Sequence, residues 1–350
     1  MFVRVSLFAV LLLCVSGVVS CGLHAQSSIA LQRYEKAYRE MVGMLEGRQK
    51  LSVKRAVYLA ENAYLDGKLD YEKDFNEPIR KTVDYLKRII AINHLEKYKT
   101  GKQMALCSYF FNPYSGNNYQ SFEYDFSGEF PDDDWHYQLV SRTMKTHKGQ
   151  CRSLPWTLKL YAEELGAEVH IAHAPRHCFL MYRDLDNQTP EKWINVALTS
   201  HQYVPTFSLK DIFEIKDSAV IVGTYLTPLT DVQTIACQLS EMAQVYVDKY
   251  GKYDQFTYKC TSKSLKYYRR NPCAIIIKGK SLDALARRHA KNNGNRMDAY
   301  MKSNIEEQKA CFEELRKTYW TQETPRLRKK WNKTPEEIEE MKKHVININK

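Results

Sequence analysis

The spacing of apolar residues predicts helices at both ends of the chain. Apolar positions recur at helical spacing across residues 27–66, and a further helix over 77–99 carries a single apolar stripe. Four more helices are predicted over residues 231–249, 254–270, 273–290 and 297–319. These two helical regions flank a central region whose pattern is different.

The central region begins with residues 107–134, where turn-forming residues alternate with aromatic ones and predict a long, packed loop. A short helix up to Lys145 follows, and then a helix over Arg152–Leu165 with Gly166 as its cap. Three strands are predicted next, over 169–172, 177–182 and 192–198. A helix followed by antiparallel strands indicates an α+β fold.

The first residues carry an export signal. Arg4 precedes the apolar run Leu7–Val19, which is too short to span a bilayer comfortably. The run ends in small residues before Cys21, which resembles a bacterial lipobox, where the cysteine is acylated. We therefore predict that residues 1–21 are a lipoprotein signal and that lipid on Cys21 anchors the chain in the cell envelope. The alternatives are secretion after cleavage behind Ala25 and a retained membrane anchor.

Charge is distributed unevenly. The net charge is +11, but residues 251–350 hold 24 Lys and Arg against 12 Asp and Glu, whereas residues 1–250 hold 28 against 29. The basic third could lie against anionic lipid or an acidic polymer, or its charges could simply be solvated helix faces. Export argues against a nucleic-acid partner.

Seven of the nine cysteines lie beyond Cys21, and their spacing contains no CxxC pair. An odd number without such spacing indicates neither a disulfide framework nor a zinc site. His170 and His173 flank the same strands as His177, but no carboxylate has a spacing that supports a metal site. We therefore predict no cofactor and no metal.

Cys151 and His177 are the candidate reactive pair. Cys151 begins a predicted helix, where the partial positive charge of the N-terminus favours a thiolate, and Lys148 and Arg152 add charge nearby. His177 begins a strand and could act as the base. The alternative is that both residues are ordinary core side chains.

Four segments around this pair, taken in order, resemble the transglutaminase-like, papain-fold superfamily, and most of all its bacterial branch with a helical, repeat-like tail. They are Gly149–Pro155, Leu160–Gly166, Pro175–Phe179 and Trp193–Thr199. The resemblance covers roughly residues 103–205. It implies a papain-like core in which a helix packs on an antiparallel sheet, with Cys151 as nucleophile and His177 as general base.

The chain departs from the family at the third residue of the triad. The family has an Asp or Glu where this chain has Ala197, which cannot orient an imidazole. Asn195 is a candidate orienter on the same strand face, whereas Asp184 is expected to point away. Trp135 could donate its indole N–H to an oxyanion or could be a packing residue, and Gln103 is a weaker candidate donor.

Two functions follow from these residues. The first is an exported cysteine acyl-transfer protein that hydrolyses or transamidates a peptide-like amide. The second is a catalytically impaired fold that binds a peptide or protein of the cell envelope. The predicted divisions are an N-terminal helical segment (22–100), a transglutaminase-like core (101–228) and a C-terminal helical bundle or tetratricopeptide-like repeat pair (229–350).

Overall fold

A computed structural model of the protein describes residues 29–128, 135–187 and 189–321, together with position 336. The predicted signal over residues 1–21, including Cys21, and the alternative cleavage site at Ala25 lie outside these residues. Within the described parts of the chain, no helix has both the length and the apolar character needed to cross a membrane.

Four helices precede the central region. Helix α1 covers residues 29–45, and α2 is Val53–Tyr64, so the predicted helical stretch over 27–66 is divided into two. Helix α3 is Glu77–Ile92, and α4 is Gly101–Phe111. The sequence did not predict α4, because this helix is apolar around most of its circumference and its residues are largely buried. Without a polar face, the helical period is hidden.

The central region contains the sheet. Strands β1 (Glu123–Tyr124) and β2 (Lys148–Gly149) form a short parallel pair. Between and after them lie helices α5 (Val140–Thr146) and α6 (Ser153–Leu165). A four-stranded antiparallel sheet follows in sequence order, with β3 His170–Ala174, β4 His177–Arg183, β5 Trp193–Ala197 and β6 Gln202–Tyr203. This confirms the predicted α+β class and the three predicted strands.

The two faces of the sheet pack against different layers. Ile171, Cys178 and Leu180 face the main core together with the apolar residues of α6. Ala172 and Phe179 face a second cluster, which includes residues of α7 (Thr206–Ile212) and α8 (Asp217–Ile221). This alternation follows from the two-residue period of a strand. Because α7 and α8 are only seven and five residues long, their apolar pattern was too short to predict.

Four helices complete the described chain: α9 (Asp231–Tyr250), α10 (Gln255–Tyr267), α11 (Pro272–Asn292) and α12 (Ala299–Lys317). Each begins at a side chain that accepts a hydrogen bond from the first turn, namely Thr230, Asp254, Asn271 and Asp298. Each helix packs on the next along the chain. Their lengths of 20, 13, 21 and 19 residues are unequal. The tetratricopeptide-like repeat pair stays a prediction.

The three predicted divisions share one core. The main hydrophobic cluster includes Tyr34 of α1, Leu106 of α4, Leu158 of α6, Leu239 of α9 and Cys260 of α10. The N-terminal helices and α9 and α10 therefore stabilise the central sheet and helix directly. A separate small cluster of Ile275, Leu282 and Cys311 joins α11 to α12.

Candidate active site

Cys151 lies two residues before the first residue of α6. The carbonyl of Gln150 already accepts a hydrogen bond from the Leu154 N–H at 3.1 Å, so the first helical turn begins at this point. Cys151 is half-buried, and its Sγ lies 3.9 Å from the carbonyl oxygen of Arg176. The thiol is therefore at the N-terminus of a helix, next to the residue that precedes His177.

The turn between β3 and β4 places the Arg176 carbonyl beside Cys151 Sγ. Ala174 pairs with His177, which leaves Pro175 and Arg176 as the two turn residues. Proline suits the first of these positions, and the second requires a positive φ, which Arg176 adopts at 52°. A non-glycine residue in this conformation costs about 1 kcal/mol. The sheet thus ends at the Cys151 thiol, and His177 is the first residue of β4.

The imidazole of His177 is held between aromatic rings. It stacks on Phe213 with ring centroids 5.0 Å apart and 19° between the planes, and it lies nearly parallel to Phe179 at 6.5 Å. Phe213 follows α7, and Glu214 comes next with a positive φ of 51°. Phe213 was not predicted from the sequence, since nothing in its local pattern indicated a contact with a residue in β4.

Asn195 is not brought to His177. In the register of β4 and β5, Asn195 lies opposite Met181, four residues beyond His177 and therefore about 13 Å away along the strand. Its amide donates to the Val204 carbonyl at 3.0 Å and to Thr206 Oγ1 at 3.1 Å. The structure therefore gives Asn195 a different role from the predicted orienter: it ties β5 to the start of α7.

Ala197 lies where the resemblance implies an acid. Continuing the same register places residue 197 opposite Phe179, on the sheet face of His177 and diagonal to it. Ala197 is buried and offers no acceptor. Asp184 lies seven residues beyond His177 and accepts a hydrogen bond from the Thr189 N–H at 2.5 Å, so it supports the β4–β5 turn instead, as expected.

Trp135 and Gln103 have structural contacts. The Trp135 ring meets Tyr64 edge-on, with centroids 5.7 Å apart, and the Arg152 guanidinium lies 4.5 Å above it. These contacts favour the packing alternative for Trp135 over the oxyanion role. The Gln103 amide donates to the Glu168 carbonyl at 3.1 Å. This hydrogen bond connects α4 to the segment that precedes β3.

The charge of Arg152 is directed toward α9. Its guanidinium donates to Glu241 Oε2 at 2.8 Å, to Gln238 Oε1 at 2.9 Å and to the Gln138 carbonyl at 2.8 Å. The side chain is largely buried, and Glu241 compensates its charge. The expectation that Arg152 adds positive charge beside the thiol therefore needs correction, because this cation belongs to an ion pair.

The residues before Cys151 fix the approach to α6. A Cβ on Gly149 would lie 2.6 Å from Ser153 Oγ and 2.7 Å from Thr143 Oγ1, so only glycine fits this close approach. The Gln150 N–H donates to Ser153 Oγ at 2.9 Å, and the Gln150 amide donates to the Asp125 carbonyl at 3.3 Å. Hydrogen bonds on both sides thus hold the backbone that leads to the thiol.

A cleft of about 700 Å³ lies beside β2. Residues of the predicted aromatic loop and of the α5–β2 junction line it: Phe111, Asn112, Pro113, Tyr119, Gln120, Ser121, Glu123, Thr146, His147 and Lys148. Lys148 precedes Cys151 by three residues, so their Cα atoms are at most about 11 Å apart. Lys148 thus connects the cleft to the helix start along the chain, while Cys151 and His177 are not among the residues that line it.

Three side chains outside this pair are close enough together to ligate a metal ion. They are His173 of β3 with Cys237 and Glu241 of α9.

Comparison of the chain with protein-family models, with curated proteins and with solved structures gives no significant match. The resemblance to the transglutaminase-like superfamily therefore rests on the residues described above.

Proposed function

We propose that this protein is an exported, transglutaminase-like cysteine acyl-transfer protein of the cell envelope. The observation that carries the proposal is the 3.9 Å distance between Cys151 Sγ and the carbonyl of Arg176, the residue before His177. A thiol at a helix N-terminus, with an imidazole beginning the adjacent strand, is the arrangement that cysteine nucleophiles use. Both residues are half-buried, so part of each side chain is accessible.

In the proposed reaction, Cys151 Sγ attacks the carbonyl carbon of a peptide-like amide and His177 accepts the thiol proton. The C–N bond then breaks, His177 returns the proton to the leaving amine, and an acyl thioester remains on Cys151. Water or a second amine attacks this thioester and regenerates the thiol. The Cys151 backbone N–H, just before the start of α6, is the group suited to hold the oxyanion.

A second candidate function is supported by Ala197. Ala197 cannot accept a hydrogen bond from an imidazole, so position 197 does not supply the group that fixes the histidine tautomer and stabilises its protonated form in a full triad. A fold of this kind could retain the cleft beside β2 to bind a peptide or protein of the cell envelope without turning it over. The polar, partly aromatic lining of that cleft, with Phe111 and Tyr119, suits such a ligand.

The proposal is tested by measuring how the alkylation of Cys151 by iodoacetamide depends on pH in the mature protein, with mass spectrometry as the readout. An activated thiol reacts at pH values well below the ordinary cysteine pKa of about 8.5. We expect His177→Ala to remove this advantage. His94→Ala is the matched control, since His94 is exposed and pairs only weakly with Glu96, at 3.6 Å.

The result that overturns the acyl-transfer proposal is a Cys151 that titrates like a free thiol in both the wild-type protein and the His177→Ala variant. The binding function would then be tested next, by measuring the affinity of cell-envelope peptides for the wild-type protein and for Tyr119→Ala. Tyr119 lines the cleft and is 73% exposed, so its removal leaves the core intact.

A further inference from the structure

A second cluster of reactive side chains lies between the sheet and α9. One ring nitrogen of His173, the Cys237 thiol and one Glu241 carboxylate oxygen all lie within 4.8 Å of one another. Cys237 is buried, and the other two side chains are half-buried. The cluster therefore combines three different ligand types, shielded from bulk water, on two elements that pack through the main core.

The fold explains why these three residues meet. Cys237 and Glu241 are separated by four residues in α9, so they lie one above the other on the same helix face. His173 pairs with Cys178 across β3 and β4, and Cys178 faces the main core, so His173 shares that face of the sheet. The sequence spacing of His173 and Cys237 gives no sign of this contact, which is why no metal site was predicted.

The donor set indicates which metal would fit. Thiolate and imidazole ligands favour zinc and similar transition metals, whereas magnesium and calcium prefer oxygen ligands alone. Tetrahedral zinc, with bonds of 2.0–2.3 Å, needs ligand atoms separated by about 3.3–3.8 Å. The separations of up to 4.8 Å in this cluster require a contraction of about 1 Å, which side-chain rotation can supply.

The surroundings also suit a cation with ligands of this kind. Glu241 Oε2 accepts from Arg152, while Oε1 lies 3.8 Å from Cys237 Sγ, so one carboxylate oxygen is oriented by an outer partner and the other faces the thiol. Outer partners of this kind commonly fix metal ligands.

We infer that His173, Cys237 and Glu241 form a binding site for a divalent transition-metal ion of the zinc type. Binding releases the Cys237 thiol proton and forms a metal–thiolate bond, with the His173 ring and a Glu241 oxygen as the other protein ligands. Cys151 is not one of the ligand side chains, so the site does not depend on the reactivity of that thiol.

The test uses the mature protein titrated with Co²⁺ as a spectroscopic probe and with Zn²⁺ as competitor. We expect one equivalent of Co²⁺ to give a sulfur-to-cobalt charge-transfer band and visible bands of four-coordinate cobalt. Zn²⁺ should abolish both, and Mg²⁺ should have no effect. Cys237→Ser should remove the charge-transfer band. His173→Asn should weaken Zn²⁺ binding by more than the roughly 10–100-fold typical of losing an outer partner.

Two controls make the assignment specific. Cys260→Ser replaces another buried cysteine, in α10, and Cys151→Ser replaces the proposed nucleophile; both should keep the band. A wild-type protein without a charge-transfer band overturns the inference. So does a band that survives in Cys237→Ser or that disappears in Cys151→Ser. His173→Asn probes the same site with a second variant, so a Cys237→Ser protein that fails to fold does not leave the question open. Unchanged Zn²⁺ binding in a folded His173→Asn protein also overturns the inference.

Discussion

At the scale of single residues, two carboxylates act as caps for helices that lie far away in the sequence. Glu61 of α2 accepts from the Val140 N–H at 2.6 Å and the Ser141 N–H at 3.0 Å, at the start of α5. Glu163 of α6 does the same for Val53 and Lys54 at the start of α2. These bonds satisfy backbone donors that no local side chain caps in α5.

Glu61→Gln tests this capping role. The substitution keeps the size of the side chain but turns an N–H₂ group toward one of the two backbone donors of α5. Because Glu61 is fully buried, water cannot compensate, and we expect the free energy of unfolding to fall by about 1–3 kcal/mol. Urea denaturation measures this change. The exposed Glu96→Gln is the control, and an equal effect of both substitutions would contradict the capping role.

His147 makes stability depend on pH. Its ring packs on Phe122 with centroids 4.4 Å apart, and burial lowers its pKa, although a hydrogen bond with the Gln120 backbone opposes this. The folded protein therefore favours the neutral ring. As the pH falls below about 6.5, the unfolded chain binds the proton first. The stability that the neutral ring contributes is present above that pH and is lost as the pH falls through the folded pKa.

The expected slope from His147 is at most about 1.4 kcal/mol per pH unit. His147→Asn should remove this component from the denaturation midpoints measured between roughly pH 7 and pH 5, and asparagine tolerates the φ of 54° at this position. His94→Asn is the control, since exposed His94 has a φ of 53°. Parallel curves for wild type and His147→Asn would rule out this contribution.

At the scale of elements, the pairing of β4 with β5 decides what can assist His177. Residue 197 is diagonal to His177 on one face, whereas Asn195 is a further pair away and bonds to the segment after β6. Asn195 lies two residues farther along β5 than residue 197, which adds about 6.6 Å to its separation from His177. An amide side chain cannot span this additional distance. The orienter must therefore come from position 197 or from another element.

Ala197→Glu should increase the reactivity of Cys151 at neutral pH if the Cys151–His177 pair is a damaged triad. In a full triad, the residue that orients the histidine raises the catalytic rate by up to about 10⁴-fold. Even a partial gain is therefore measurable by alkylation kinetics and by peptide hydrolysis. Asn195→Ala is the control, and we expect no change in Cys151 reactivity because its amide is used elsewhere. No gain in a folded Ala197→Glu protein would favour the binding function.

At the scale of the whole molecule, Arg152 links the helix that carries the thiol to the C-terminal helices. Its guanidinium contacts two side chains of α9 and lies between Trp135 and Trp156, at 4.5 and 5.0 Å from their rings. Lys159 of α6 adds an ion pair with Asp231 of α9 at 2.7 Å. The C-terminal helices are therefore bound to the central fold by charge-assisted contacts as well as by the shared core.

Arg152→Lys tests this connection. Lysine keeps the charge but cannot form the same set of hydrogen bonds or stack between two indole rings. We expect the free energy of unfolding to fall by about 2 kcal/mol in urea denaturation. Arg287→Lys, which replaces an exposed arginine paired with Asp283 in α11, should have no measurable effect. Comparable losses in both variants would refute the role given to Arg152.

The local sequence determined the elements with a regular pattern and recognisable ends. The helices α9 to α12 were predictable because their apolar period is regular and turn residues mark their limits. The strands β3 to β5 were predictable because short apolar runs lie between turn residues, and α6 was predictable because Gly166 ends it with a φ of 65°. By contrast, α4 lacks a polar face, and α7 and α8 are too short to show a period.

The sequence by itself also selected Cys151 and His177, because a helix start and a strand start are local features. Only the tertiary structure decided which other residues belong to each site. The β4–β5 register separates Asn195 from His177, the end of α7 brings Phe213 onto the imidazole, and α9 pairs Glu241 with Arg152 and sets it beside His173. These contacts join residues from separate elements, so strand register and helix packing fix them, and no local pattern encodes them.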